Sequence, residues 1–517
     1  MTLLDIKKVH NTDILTMISS LSSDEKFTPP KIANKMLDLL PEKIWTNSSI
    51  KFLDPFTKTG VFLREVTTRL LNGLESEFPN LETRLNHILK NQVFGLGITE
   101  LTTLIARRSL YCSKYANGKY SIVTFESEEG NVKFPEVKHV WTVTTEKCVY
   151  CGLSRKLWDR GVELQSYAYP FLHTESFEEY FDMKFDVIIG NPPYHMTDGG
   201  GKGTDSAKPI YNLFIEQAIK LNPSYISMIV PSKWMKGGKG LDKFRVQMMG
   251  DKRIKYLYDF EDENECFEGI HLAGGVCYFL WDKNYDGKVE YVYKPKNEEP
   301  ITTKRFLENT ISDTIIRDIR QASIIEKARV QKNNFSEIVS TRRPYGIGTD
   351  LFNNPKNYGY ENIPDKPFKN SLKIYGVKGH KGGARRVVGY ISKEDIYKND
   401  SISKFKLFMP YAYSHNSTVP PEIIIGKPNE ICTETFLQIG SFKSEEEALL
   451  CLNYIKTKFF RALLFYNRIQ QNISKETFNL IPLIKFSKDI NDKNLYKQFN
   501  LTKKEIAYIE ENIKEME

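Results

Sequence analysis

The stretch "FDVIIGNPPYHM", Phe185 to Met196, places an amide, two prolines and an aromatic ring at the end of an apolar run. Val187, Ile188 and Ile189, bounded by Gly190, fit a short buried strand of a parallel sheet. Pro192 and Pro193 have no N–H for the ladder and stop the strand there, and Pro193 holds Pro192 extended. Two acceptors, the Asn191 side chain and the Pro192 carbonyl, then stand at the carboxyl end of a strand, with the Tyr194 ring just beyond. In open α/β sheets that edge binds ligands. Two preorganised acceptors and one flat stacking face suit a planar group that carries an NH2. An ordinary strand-ending turn with a surface tyrosine is the plain alternative for the Pro-Pro pair taken by itself.

Such a loop needs a sheet to hold it, and the chain alternates strand and helix patterns over residues 28–300. "FTPPKIANKMLDLLP" reads as a proline-started amphipathic helix, with apolar residues at Ile32, Met36, Leu39 and Leu40. In "SIKFLDPFTKTGVFLREVTTRLL" a strand ends at Phe52-Leu53, Asp54-Pro55 turn the chain, Gly60 relieves the turn and a helix starts near Val61. "VFGLGITELTTLIARRSLY" repeats strand, turn and helix, and further strands are expected at "YSIVTF", "YISMIVPSKW", "IKYLYDF" and "GGVCYFLWD". The alternation predicts a doubly wound, mostly parallel, Rossmann-like α/β sheet. A polar helical linker is expected over 303–334, after a first domain of 1–302. A second, α+β domain over 335–485 contains the strand "EIIIG", one long helix at "EEEALLCLNYIKTKFFRALLFYN" and a short strand at "NLIPLIKF". Residues 486–517 read as a helical tail, and residues 1–26 as a polar helix.

Composition limits the partners. The chain has 517 residues, 40% hydrophobic and 27% charged, enough for two or three domains with full cores. No run approaches the roughly 18 apolar residues of a membrane span, and the N-terminus lacks a signal peptide's apolar core and cleavage site, so no membrane partner is expected. The 7 cysteines are odd in number and scattered, which argues against a disulfide framework and for a cytoplasmic protein. The net charge of +8 is unevenly spread: residues 331–517 hold 29 basic against 21 acidic side chains, the whole excess. Within them 371–410 carry 9 basic and 3 acidic residues. Lys378, Lys381, Arg385 and Arg386, interleaved with glycines, suit a phosphate-tracking surface; a solvated basic loop is the alternative.

These pieces, in this order, resemble the adenine-N6 DNA methyltransferases of restriction–modification systems, in the arrangement where cofactor motifs precede the catalytic motif and a target-recognition domain comes last. "NPPY" carries the resemblance, supported by "FEGIHLAGGVCYFLWDK" and by the closing "YIKTKFFRALLFYNRIQQNISKETFNLIPL". The resemblance implies S-adenosylmethionine as cofactor, double-stranded DNA as partner and catalytic roles for Asn191, Pro192, Pro193 and Tyr194. The two acceptors would hold the amine of a flipped-out adenine, and the tyrosine would stack on the base. It also implies that Thr28 and Pro29 approach the methionine moiety, and that Asp54, Pro55 and Gly60 form the first cofactor loop. Lys58 stands where the family has a glycine, and Gly97 where it has the acid that holds the ribose. Glu100 is the nearest substitute, and Asn131 corresponds to an acidic position near the cofactor's adenine. A methyltransferase acting on RNA or on protein glutamine, and a DNA-binding specificity protein with a degenerate cofactor pocket, are the alternatives. A nuclease in this chain is not expected, because some 27 residues precede the first motif; a separate cognate restriction endonuclease is an expectation from the family.

One insertion stands apart. Between the third and fourth strands, residues 134–180 contain His139, Cys148, Cys151 and His173, where the family has a shorter connection. A Cys-x-x-Cys pair with two flanking histidines gives a tetrahedral set for structural zinc, and a long insertion without its own core needs a staple. A redox pair or unrelated thiols are the other readings.

Overall fold

Each residue of β1 (Phe52–Thr57) is buried, and the same holds for β2 (Val93–Gly97) and β4 (Val187–Gly190). Strands buried on both faces are those of a parallel sheet's centre. The computed structural model describes residues 27–516 apart from 156–168, 175–179, 197–207, 239, 268–273, 309–314, 330–332, 381–382, 397–398, 415–416 and 469–470. The polar N-terminal helix expected over 1–26 and Lys381 therefore lie outside the described residues, as does part of the "FEGIHLAGG" stretch.

The chain divides into two units, Met1–Arg317 and Asp318–Glu517. The first is built on a nine-stranded sheet. Its remaining strands are β3 (Val132–Lys133), β5 (Tyr225–Pro231), β6 (Ile254–Phe260), β7 (Val276–Asp282), β8 (Val289–Lys294) and β9 (Ile301–Arg305), in the order β3-β2-β1-β4-β5-β7-β6-β8-β9. From β3 to β5 all neighbours are parallel; β7 is antiparallel to both β5 and β6, and β9 to β8. The strand order reverses between β1 and β4, which makes the carboxyl ends of these two strands the switch point where such sheets bind ligands.

Among the described residues, the helices of this unit are α1 (Pro30–Leu37), α2 (Val61–Gly73), α3 (Leu81–Asn91), α4 (Glu100–Tyr111), α5 (Tyr211–Lys220) and α6 (Asp242–Gly250). Ile32, Met36 and Leu37 of α1 join Phe62, Val66 and Leu70 of α2 and Ala106 and Leu110 of α4 in one core cluster that also contains Val93, Ile189 and Tyr194. Phe94, next along β2 from Val93, points the other way, as strand alternation requires, and packs edge-on to Phe181 and Phe185.

Two local expectations are corrected. Asp54 and Pro55 do not turn the chain but continue β1 to Thr57, with a register irregularity between Asp54 and Thr57. The missing N–H of Pro55 is tolerated at such an irregularity. "YSIVTF" forms no strand; the third strand is the two-residue β3 at Val132–Lys133.

The second unit carries two three-stranded sheets. One has the order β11 (Gly383–Ser392), β10 (Ser371–His380), β14 (Glu430–Cys432); the other β13 (Ile424–Gly426), β12 (Phe405–Pro410), β15 (Phe436–Phe442). Its helices are α7 (Ile319–Ala328), α8 (Glu445–Lys456), α9 (Lys458–Asn467), α10 (Asp492–Gln498) and α11 (Lys503–Asn512). The long helix expected here is broken: Thr457 is extended (φ −62°, ψ 147°), ends α8 and caps α9 with its hydroxyl on the Phe460 N–H. "NLIPLIKF" makes only an isolated bridge, Asn334 to Pro482. The unit boundary falls inside the expected linker, whose beginning is β9 and whose later part is α7. The expected tail folds back instead: Glu505 of α11 accepts from Lys327 Nζ at 2.7 Å and Ser323 Oγ at 2.6 Å on α7.

Candidate active site

Gly190 ends β4 where no side chain fits. A Cβ there would lie 2.7 Å from Asp54 Oδ1 and 2.8 Å from Phe56 Cδ2, so the β1 and β4 ends touch at the switch point. Beyond it Asn191, Pro192, Pro193 and Tyr194 are all buried. Asn191 Nδ2 donates to Thr28 Oγ1 at 3.1 Å. Thr28 is itself buried, just before Pro29, the N-cap of α1. The Tyr194 carbonyl accepts from the Ile210 N–H at 3.1 Å, and a two-stranded ribbon, His195–Met196 against Lys208–Pro209, closes the loop towards α5. The Tyr194 ring is not at the surface: it is 4% exposed and meets Phe267 edge-on at 6.4 Å. Burial pushes its hydroxyl well above the usual tyrosine range.

Asp54 faces this loop from β1. Its Oδ1 accepts from the Phe56 N–H at 3.0 Å, and Thr57 Oγ1 donates to its carbonyl at 2.8 Å. Burial raises its carboxyl to about 7, against the pull of the Phe56 N–H and of Lys58. Lys58 is buried as well. Gly60 then starts α2 with φ +76°, and a Cβ there would press to 3.1 Å from Ala106 Cα on α4.

The structure does not bring all of the expected cofactor residues to this edge. At Gly97 a Cβ would lie 1.8 Å from Thr103 Oγ1; that hydroxyl, donating to the Thr99 carbonyl at 2.6 Å, occupies the space a side chain at 97 would need. Glu100 is exposed in the first turn of α4. Asn131 precedes β3, at the amino edge of the sheet, and its amide donates to the Leu89 and Lys90 carbonyls at the end of α3, at 2.8 and 2.9 Å. It caps a helix and lies at the wrong end of the strand for a cofactor site. Beyond the carboxyl end of β3 the chain runs through Phe134 and Pro135 to Glu136. A cavity of about 530 Å³ lined by Asp251, Arg253 and Tyr285 also lies at the amino edge, before β6 and after β7.

Sequence reasoning missed one cluster at the carboxyl edge. Asp259, fully buried near the end of β6, takes both oxygens of a bidentate pair from Arg317, Nε to Oδ2 at 2.6 Å and Nη2 to Oδ1 at 2.7 Å. Ser232, just after β5, donates to Oδ1 at 2.6 Å, and Tyr291 of β8 to Oδ2 at 2.8 Å. The available signal is an acid, Asp259, between the apolar rings of Tyr258 and Phe260 near the end of the strand "IKYLYDF". The network satisfies a charge that would be costly to bury by itself and ties the ends of β5 and β6 to the middle of β8.

In the insertion, the ligand atoms of His139, Cys148, Cys151 and His173 lie within 4.8 Å of one another, and all four residues are buried. Burial lowers both imidazoles, His173 to about 4.

In the second unit the basic stretch is a hairpin rather than a loop. Lys378 stands opposite Arg385, and Val377 opposite Arg386. Lys378, Arg385 and Arg386 are exposed. Arg386 is held by Glu422, Nη1 to Oε2 at 3.0 Å and Nη2 to the carbonyl at 2.8 Å.

Residues 91–267 match the family model described as Eco57I restriction-modification methylase. An uncharacterized adenine-specific methylase of Mycoplasma pneumoniae (strain ATCC 29342 / M129 / Subtype 1) is 36% identical, over 58% of this chain and 78% of the relative. Among solved structures, the type IIL restriction-modification enzyme MmeI in complex with DNA has a TM-score of 0.45 at 14% identity, covering 99% of this chain and 74% of that one. A nuclease-deletion mutant of the type ISP enzyme LlaGI with a DNA substrate mimic has a TM-score of 0.47 at 14% identity, covering 97% of this chain and 48% of that one.

Proposed function

Since the chain belongs to the adenine-specific methylases, we propose that it transfers a methyl group from S-adenosylmethionine to the exocyclic amine of an adenine flipped out of double-stranded DNA. The observation that carries this reading is the Asn191 amide, held by Thr28 at the carboxyl end of β4 and beside the β1 loop. An adenine amine is a weak nucleophile, because its lone pair is delocalised into the ring. With its two N–H groups donated to Asn191 Oδ1 and the Pro192 carbonyl, the nitrogen becomes tetrahedral and its lone pair is released. No strong base is needed, and preorganised acceptors favour the transition state over the planar ground state.

Thr28, Asp54 and the N-terminus of α2 surround the switch point and fit the methionine end of the cofactor, which supplies an electrophilic methyl group when bound. Asp54 is the group to meet its positive charge, and Glu100 is the nearest acid beyond β2 for the ribose. Flipping the base costs roughly a few kcal/mol, and stacking on Tyr194 returns about 1–3 kcal/mol. Because that ring packs against Phe267, stacking exchanges the edge-on contact for the base.

The exposed hairpin basic residues of the second unit are assigned to DNA phosphates, and that unit to target recognition. The protein then serves as the modification component of a restriction–modification system in the cytoplasm, beside a separate endonuclease. The test is methylation of unmodified plasmid DNA with purified protein and cofactor, followed by sequencing of modified bases. N6-methyladenine at one recurrent motif supports the proposal. Sequence-specific binding with no methyl transfer overturns it in favour of a specificity protein, the reading that the Lys58 and Gly97 departures favour.

A further inference from the structure

We propose that His139, Cys148, Cys151 and His173 form a closed structural zinc centre that braces the back of the catalytic loop. Zinc at a tetrahedral N2S2 site, with bonds of about 2.0–2.3 Å, brings its ligand atoms to roughly 3.3–3.8 Å from one another. Cys148 Sγ lies 3.3 Å from His173 Nε2, and Cys151 Sγ 3.5 Å from His139 Nδ1. Four buried polar side chains converging in this way are costly unless something binds them together. A disulfide between the two cysteines would leave the histidines unexplained, and both cysteines are free.

The backbone is shaped for the same purpose. The Cys148 N–H donates to the Leu153 carbonyl at 2.8 Å, and the Gly152 N–H to the Cys148 carbonyl at 2.9 Å. Gly152 has φ +71°, where glycine is favoured; the result is a tight knuckle that presents both sulfurs to one point. Bridges Trp141 to Cys148 and Lys147 to Ser154 hold its flanks. On the other side, His173 Nδ1 lies 2.9 Å from the Tyr169 carbonyl. Donation there sets the tautomer and leaves Nε2 with its lone pair towards Cys148, the outer contact typical of a zinc-bound imidazole. With four protein ligands no coordination position remains for substrate, so the role is structural.

The centre is joined to the active site by aromatic rings. Tyr169 and Phe171, close to His173 in sequence, pack on Phe214 of α5 with centroids at 5.4 and 6.4 Å. Phe171 also meets Phe56 of β1 edge-on at 5.6 Å. Phe56 in turn lies so close to Gly190 that a Cβ there would collide with it. The segment that carries His173 thereby supports the wall behind Asn191, and this support is independent of the methyl-transfer reading.

The experiment uses the full chain purified without chelator. Elemental analysis should give about one zinc per chain, retained in Cys112→Ser and lost in both Cys148→Ser and Cys151→Ser. Because those variants can fail to fold, the wild-type protein is also stripped with a chelator and reloaded with zinc or cobalt. His139 stacks on Trp141 at 4.9 Å, so metal removal should change tryptophan fluorescence reversibly, and the change should vanish in Trp141→Phe. The cobalt form should show thiolate charge-transfer absorption and tetrahedral d–d bands that azide leaves unchanged. Absence of metal from fresh protein, no response to reloading, or iron in place of zinc would overturn the proposal. Azide-shifted bands would overturn its closed, structural character.

Discussion

Thr28 and Asn191, 163 residues apart, share a hydrogen bond of 3.1 Å between two buried side chains. The threonine hydroxyl receives the Nδ2 end of the amide and so fixes which end can act as acceptor. Amide orientation is set by such partners and not by the amide itself. Thr28 is therefore a positioning residue.

Replacing Asn191 by Ala should abolish methyl transfer while duplex binding persists. Thr28→Val should take from the buried amide the hydroxyl that orients it, a loss of about 1–3 kcal/mol. If that loss falls on the transition state, single-turnover rates drop roughly 5- to 150-fold. Thr28→Ser keeps the hydroxyl and should stay near wild type. The check is rapid-quench methyl transfer for all three variants. Equal rates for Thr28→Val and wild type would remove the positioning role.

Asp54 makes a prediction in pH. Burial raises its carboxyl from the ordinary value of 3.8 to about 7. Between these values the folded state holds a proton that the unfolded state has lost, so stability contributed by this group is full below about pH 4 and declines as pH rises to 7. The whole effect is at most roughly 4 kcal/mol. Asp54→Asn should flatten this part of the curve, as read by urea unfolding at pH 5, 6, 7 and 8. Cofactor affinity should move the opposite way, rising with pH through 7 in the wild type alone, because the carboxylate is the form that meets a cation.

The parts of this fold that could be read in the sequence are those fixed by short-range pattern. The continuous apolar run before Asn191, the proline start of α1 and the glycine at the start of α2 each carry a local physical signal. What could not be read depends on partners distant in sequence. Asp259 finds Arg317 58 residues away; the acid stands out in its strand, but nothing local names the partner. The β10–β11 hairpin hides because the first four residues of β11, Gly383 to Arg386, are all exposed and so lack an apolar alternation, leaving the glycines to suggest a loop. Asn131 corresponds to the acidic position only by its place along the chain, whereas β3 starts after it and leaves its side chain at the opposite edge. The break at Thr457 involves no proline or glycine; it rests on the threonine hydroxyl capping the helix that follows.

Gly97 stands where the resemblance leads one to expect an acid, and the packing around it leaves no room for one. Restoring the acid by Gly97→Asp should not improve cofactor binding, because Thr103 already fills the space. Overpacking of this kind costs about 1–3 kcal/mol, and a lower unfolding midpoint is the expected result. The double variant Gly97→Asp with Thr103→Ala should recover part of that loss. Calorimetric titration of the cofactor separates the two effects, since a tighter-binding Gly97→Asp would contradict the packing argument.

Lys378 and Arg385 stand directly opposite one another on neighbouring strands, and like charges so placed repel. A polyanion laid across the hairpin turns that repulsion into attraction, which a solvated face would not require. Arg386 differs, since its guanidinium is already held by Glu422. A second basic pair, Arg342 and Arg343 in "STRRPYGIG", is partly offset: Arg342 pairs with Glu434 at 3.3 Å and Arg343 with the same carboxylate. These partners hold Glu434 down at about 2. Lys378→Ala and Arg385→Ala should therefore each weaken binding to every duplex alike and lower the salt slope by about one unit, as one counterion fewer is released. Arg386→Ala should lower it by less, and Arg342→Ala hardly at all. The measurement is equilibrium binding of specific and scrambled duplexes across a salt series. A variant that relaxes preference at one base pair, at about 1–3 kcal/mol, identifies a side chain reading a base edge instead of a phosphate. If Lys378→Ala and Arg385→Ala both keep the wild-type slope and affinity, the hairpin does not contact DNA.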